Sequence, residues 1–259
     1  MFKKFKNLLK GIVTDTHIPS GLNLPGNMSD VLVSRILSLI AVPENDNISW
    51  WKFYDYAEKL FDSDERGITF GIAGFCTAAD CGDGLEVLQA LYKINKTHKM
   101  CKYIAILQKH KNGLTGMESF VKDVKSLGIN DQDWNKATWT VYQSEYFNPV
   151  MKFAIDNGFK YPLSKYVFLD TTINFGYDGM QNDIVKKLKS KLPKDGGDEV
   201  VYMNEFILLK ISVLKSHKSY DDGQTDRGVM QMSILESKNY NLNVPMTVKC
   251  YGDSFTLKN

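Results

Sequence analysis

From Ser29 to Glu236 the chain is written almost throughout in helical periodicity, and that pattern restricts it to a mainly α fold. Residues 29–41, SDVLVSRILSLIA, have apolar residues at helical spacing, with Ser29 or Asp30 as N-cap and Pro43 as the stop. Residues 49–61, SWWKFYDYAEKLF, read as a second helix capped by Ser49. Further helices are expected over 84–94, 115–127 and 131–157, the last broken near Pro149. Pro162 suits the first turn of another, running through LSKYVFLDTTINFG. The segments 178–192, 198–216 and 225–236 repeat the pattern. Only 67–75, GITFGIAGF, and the closing VPMTVKCYGDSFTL look extended. Hinges are expected at 158–162 and 193–198. A chain of 259 residues with this pattern predicts two helical lobes around a cleft.

Charge is distributed unevenly. The net charge is only +2, yet the segment Glu44–Glu86 has ten acidic and three basic residues, a net of −7 against +9 elsewhere. An acidic island in a basic chain suggests a face meant for a cation, unless folding splits it among several surfaces.

Other chemistries find little footing. Cys76, Cys81, Cys101 and Cys250 form no C-x-x-C pair and have no histidine at zinc-site spacing, so buried free thiols are expected. His17, His98, His110 and His217 sit in no nucleophile motif. No phosphate-cradling glycine motif is present, which argues against a nucleotide enzyme.

The start, MFKKFKNLLKGIV, is basic, but Lys10 and Gly11 interrupt its apolar part and no small-residue cleavage site follows. A terminal or surface helix is expected there, and no stable membrane insertion. Residues 1–28 read as an N-terminal extension and 29–259 as one domain of two lobes.

The stretch DSDERGITFG, Asp62 to Gly71, packs three carboxylates and an arginine into five residues, followed by a glycine and a threonine. Such a run can be a solvated turn, with Asp64 and Arg66 a surface ion pair of little worth. Glu44 can be a polar residue after a helix-ending proline, and Thr69 a residue chosen for its strand propensity. A second reading treats the residues together. A helix over 49–61 would span roughly 20 Å and hold Glu44 and Asp64 apart. Two carboxylates far enough apart to admit a water suit inverting glycoside hydrolysis, one as acid and one as base. Arg66 would keep the base ionised, and Thr69 could position the water.

Glu44, Asn45, Tyr56, Asp64, Arg66, Gly67, Thr69, Ala73, Gly74 and Asp83 stand at spacings that resemble the signature of the glycoside hydrolase family 46 chitosanases. The stretches 134–159, 162–176 and 248–255 are also similar, and the resemblance covers roughly residues 30–255. It implies a lysozyme-like, two-lobed α-helical fold with a small β-sheet near the cleft. It implies Glu44 as general acid, Asp64 as general base and Thr69 as the hydroxyl that holds the water. Asn45, Tyr56, Glu58, Arg66 and Asp83 fall on positions that line or shape the cleft. Asp170 and Arg227 fall where the family keeps an Asp–Arg relay behind the base.

Two departures stand out. The loop FCTAADCGDG is about two residues longer than in compact members, which makes Asp80 an alternative to Asp83. Phe175 precedes Gly176 where a histidine or glutamine is common.

The activity implied is inverting endo-hydrolysis of β-1,4-glucosamine linkages in chitosan, whose ammonium groups would explain the acidic segment. A lysozyme-like hydrolase of peptidoglycan or chitin, or an inactive carbohydrate-binding protein, are the alternatives. The expected partner is chitosan or its oligosaccharides, with no nucleic acid, no metal, no cofactor, and a monomeric chain. Action outside the cell follows from the family. The absence of a secretion signal predicts cytoplasmic synthesis with release by lysis, as for a virus- or phage-encoded enzyme, or a removed leader.

Overall fold

The structure, a computed structural model, describes residues 16–21, 24–25, 28–59, 66–216 and 224–258, without the side chain of Gln224. It is mainly α, with two small antiparallel sheets. The first helix, α1, spans Asp30–Asn45, and the Ser29 hydroxyl caps it by accepting from the Leu32 amide at 3.3 Å. Pro43 does not end it. The helix continues for two residues and closes at Asp46, whose left-handed backbone (φ 51°) lets its amide reach the last turn. Glu44 therefore sits on the final turn of a helix, not beyond it.

The expected helix over 49–61 is absent. Trp50–Phe53 form one 3₁₀ turn, and the chain then extends into strand β1, Ala57–Glu58. β1 pairs with β2, Thr69–Phe70, which pairs with β3, Phe75–Cys76. The aromatic residues explain the difference. Trp50 and Tyr54 are buried, but beyond them burial alternates, with Ala57 inside and Glu58 half-buried. That two-residue period matches a sheet edge, and the Gly71 amide satisfies the Tyr56 carbonyl at 2.9 Å. The ruler that this helix was to provide between Glu44 and Asp64 is thereby removed.

Around this sheet lie α2 (Asp83–Ile94), α3 (Tyr103–Lys109) and α4 (Phe120–Lys125). α3 was not expected, and α4 is shorter than the expected 115–127. The stretch expected as a broken helix is α5 (Gln132–Tyr142), a π-helical turn (Gln143–Phe147) and α6 (Asn148–Asp156). The π-turn sits just before Pro149, which has no amide to donate back into the helix.

The later part of the chain forms α7 (Pro162–Gly179, bent at Gly176), α8 (Glu199–Ser216) and α9 (Gln224–Glu236). It closes with a hairpin of β4 (Met246–Cys250) and β5 (Asp253–Leu257). The expected helix over 178–192 is cut short after a π-turn and a 3₁₀ turn. Glu205 of α8 accepts from the amides of Lys189 and Ser190, at 2.9 and 2.8 Å, and so ends it. One continuous apolar core, from Met28 to Leu257 and including Trp134, Trp139 and Phe206, runs through the described residues. No helix among the described residues is long and apolar enough to cross a membrane. The terminal segment 1–15 lies outside the described residues.

Candidate active site

Glu44 faces a cleft of about 490 Å³ between the end of α1 and the three-stranded sheet. Asn45, Tyr56, Arg66, Thr69 and Asp83 line the same cleft, with Tyr142 from the end of α5 and Tyr146 from the π-turn. Asp64 lies outside the described residues. Arg66 and Thr69, two and five residues after it, belong to the wall opposite Glu44.

The Glu44 wall rests on a buried polar cluster. The Arg227 guanidinium, 2 % exposed, pairs through Nη2 with Oε1 of Glu44. Behind it, Arg227 Nε stands 3.6 Å from Oδ1 of Asp170, which is fully buried on α7. Lys210 Nζ donates to Asp170 Oδ2 at 2.6 Å, and Gln231 Nε2 donates to the same oxygen at 2.7 Å. Lys210 also donates to Oε1 of Gln231 at 3.2 Å. Arg227 and Gln231 are one turn apart on α9, so both face α7 and α8.

Two formal positive and two formal negative charges thus meet, three of them buried and only Glu44 partly exposed to the cleft. Burial pushes the Asp170 carboxyl up, but Arg227 and Lys210 outweigh it and hold it below the ordinary value. Burial presses the Lys210 ammonium down to about 8, against the restoring pull of Asp170. Burial also works against the Arg227 charge, yet Asp170 and Glu44 raise its affinity for the proton. The resemblance places the Asp170–Arg227 relay behind the base; the geometry ties it to Glu44. The Tyr251 hydroxyl completes this wall by donating to the Pro43 carbonyl, one of the orphan acceptors at the end of α1, at 3.1 Å.

The opposite wall is built from turns and two-residue strands. Gly67 is required there: its φ is +75°, and a side chain would meet the Thr77 hydroxyl at 2.6 Å. That hydroxyl accepts from the Ile68 amide and donates to the Gly113 carbonyl, both at 2.7 Å, locking the base of the turn. Thr69 follows on β2, opposite Glu58 on one side and Cys76 on the other. Glu58 does not line the cleft directly; it hydrogen-bonds Tyr56, which does. Burial and that bond raise the Tyr56 hydroxyl far above its ordinary value.

Asp83 opens α2 and uses both oxygens. Oδ1 accepts from the Cys76 amide at 2.8 Å, and Oδ2 from the Tyr146 hydroxyl at 3.2 Å. Burial raises its pKa despite these donors. Asp80 is exposed on the preceding turn, outside the cleft lining. Of the two alternatives, Asp83 is the one on the wall. The π-turn also matters here, because it carries Tyr146, whose ring stacks at 5.9 Å on Tyr142 at the end of α5, and both line the cleft. The expectation of buried thiols fails at Cys81, which is exposed, whereas Cys76 and Cys250 are buried.

Sequence reasoning missed Lys210, Gln231 and Tyr146. A signal existed for Lys210, the single charge inside the apolar run FILLKISV. Among the described residues, no group of three or more His, Cys, Asp or Glu side chains is placed to hold a metal ion.

Comparisons with known proteins identify the family and the fold. The profile of glycosyl hydrolase family 46 matches residues 38–246. A chitosanase of Bacillus subtilis (strain 168) is 33 % identical over 223 residues, covering 79 % of this chain and 78 % of the relative. A chitosanase of Streptomyces sp. (strain N174) is 28 % identical over 232 residues, covering 85 % and 80 %. The crystal structure of native chitosanase from Bacillus subtilis MY002 superposes with a TM-score of 0.75 at 28 % identity, covering 91 % of this chain and all of that one. A mutant of the MY002 enzyme, solved in complex with 6 GlcN, gives the same TM-score at 29 % identity and covers 91 % of this chain.

Proposed function

The chain belongs to glycosyl hydrolase family 46 and is a glycosyl hydrolase; from that premise we propose that it is an inverting endo-chitosanase. It cleaves β-1,4 bonds between glucosamine units, with Glu44 as general acid and Asp64 as general base. The observation that carries the reading is Glu44 itself, held by a buried arginine at the edge of a cleft whose other wall presents Thr69 and Arg66. A carboxyl group in that position can protonate the oxygen of the departing sugar. A second carboxylate across the cleft can take a proton from a water on the opposite face of the ring. Thr69 offers that water a hydroxyl. Asp83 offers a carboxylate to a sugar ammonium, a charge-assisted contact that an acetylated sugar lacks. No step calls for a metal or an organic cofactor.

Two measurements test this. Side-by-side product analysis should show oligosaccharides from chitosan and little or none from fully acetylated chitin or peptidoglycan; comparable rates on chitin would remove the substrate assignment. Proton NMR of the first product, before mutarotation, should show the α-anomer. A β-anomer would mean retention and would take Asp64 out of its role as base towards water.

A further inference from the structure

The sheet wall of the cleft has two sulfur groups that the reaction above does not use. Cys76 on β3 and Cys81 in the turn before α2 both line the cleft, and both are free thiols. Both thiols face the same part of that cleft, near enough for each to influence the other. Their backbones differ in freedom. The Cys76 amide is bound by Asp83 Oδ1, and its carbonyl lies so close to Gly84 that a side chain there would collide with it. Thr77, Ala78 and Ala79 are tied to Ile68, Arg66 and Lys111 by backbone bonds of 3.0, 3.1 and 2.9 Å. Cys81 follows on an exposed turn, with its amide on the Ala78 carbonyl at 3.2 Å. One thiol is therefore fixed and buried, and the other is exposed on a turn that can close onto it.

We propose that Cys76 and Cys81 form a covalent modification site. A low-molecular-weight disulfide such as oxidised glutathione converts them to a disulfide that clamps the 76–81 loop beside Asp83. The Cys81 thiolate attacks one sulfur of glutathione disulfide. That S–S bond breaks, and one glutathione leaves, taking up the proton Cys81 gave. The Cys76 thiolate then attacks the Cys81 sulfur, and the second glutathione leaves with the Cys76 proton. Two cysteine thiols are oxidised and one glutathione disulfide is reduced to two thiols. Forming the bond brings the two sulfurs to about 2.0 Å, which the exposed turn at Cys81 must supply by moving. Burial is the largest influence on both thiols and disfavours both thiolates, so the exchange is slow at neutral pH and speeds up with rising pH.

The consequence for substrate rests on the reading of Asp83 as a binding wall. The cross-link pins the Cys81 turn that leads into Asp83 at the start of α2, so oxidation lowers KM on chitosan oligomers by roughly 2–5-fold through preorganisation and leaves kcat unchanged.

The test uses the full chain, incubated with oxidised glutathione or with dithiothreitol. Thiol titration in denaturant should fall from the four cysteines of the sequence to two, and peptide mapping should find a Cys76–Cys81 cross-link. The Cys76→Ser protein should instead stop at a glutathione adduct on Cys81. A stable adduct on Cys81 of the unsubstituted chain, or four thiols after long incubation at pH 8.5–9, would overturn the site; the pH range follows the ordinary thiol value of about 8.5. A cross-linked protein with unchanged KM would overturn the consequence for binding. Inactivity of both redox forms on chitosan would instead count against the substrate reading, since thiol count and mapping need no substrate.

Discussion

Glu44 and Asp83 are carboxylates on the same cleft, but Glu44 leans on a buried guanidinium and Asp83 on a backbone amide and a phenol. Behind Glu44 lies a cluster drawn from α7, α8 and α9, with Asp170 and Lys210 fully buried. Behind Asp83 lie short strands and a turn with Asp80 and Cys81 in solvent. A buried ion cluster is rigid, because any member that leaves strands a charge in low dielectric. A wall of turns is easier to reshape. The first arrangement suits a group whose proton must be delivered at one point. The second suits a surface that accepts a long, charged, flexible polymer.

The largest effect should come from the two groups proposed to move protons. Glu44→Gln and Asp64→Asn should each lower kcat by at least 10²–10⁴-fold, the usual size of a general acid–base contribution. Glutamine can still accept from Arg227, so the melting temperature of Glu44→Gln should stay near that of the unsubstituted chain. A Glu44→Gln protein with full activity would dissolve the distinction between the walls.

Lys210→Met sharpens the comparison from the buried side. It removes one cation from Asp170 and should cost about 3–5 kcal/mol of stability, read as a drop in the urea midpoint. A cost below about 1 kcal/mol, the level of an exposed pair, would show that the cluster is not held dry.

On the wet wall the effects are smaller. Asp83→Asn should raise KM on chitosan oligomers by an amount worth about 1–3 kcal/mol, with a lesser change in kcat. Asp80→Asn, outside the cleft lining, should stay within about 0.5 kcal/mol. A larger effect at Asp80 would transfer the contact to the exposed turn.

The mildest signature is in pH. Lys210 is pressed from its ordinary 10.5 to about 8 by burial. The cost of charging it is present in full below pH 8 and relieved as pH rises towards 10.5, where the unfolded chain still holds a proton that the folded chain has lost. This group therefore makes stability increase with pH across that window, by at most ~1.4 kcal/mol per pH unit. Urea midpoints of the unsubstituted chain should rise there relative to those of Lys210→Arg, whose side chain does not titrate. Parallel profiles would contradict it.

Much of this was legible in the sequence. Ser29 announced the start of α1, and Pro162 that of α7. The grouping of Glu44, Arg66, Thr69 and Asp83 on one cleft followed from their spacing and the resemblance it carried. The segment 49–61 misled because two aromatic anchors, Trp50 and Tyr54, imitate a helical stripe that sheet pairing then overrides. The stretch HKMCKYIAILQK hid α3, a helix of only seven residues. Lys210 was visible as an oddity, but its partner could not be named. Asp170 lies 40 positions earlier and Gln231 lies 21 later, and only the packing of three helices brings them together.

The contact between Arg227 and Glu44 joins positions 183 apart in the chain. Emerging from a ribosome, α1 appears among the first segments and α9 among the last. For most of synthesis the carboxylate of Glu44 has no guanidinium to meet, and Asp170 waits for both of its cations. The dry wall of the cleft is thus assembled late, by closing a loop that includes most of the molecule, and such distant pairings form slowly compared with local helices. The carboxylate proposed as the acid thus gains its guanidinium only once α9 has been made, rather than early along the way.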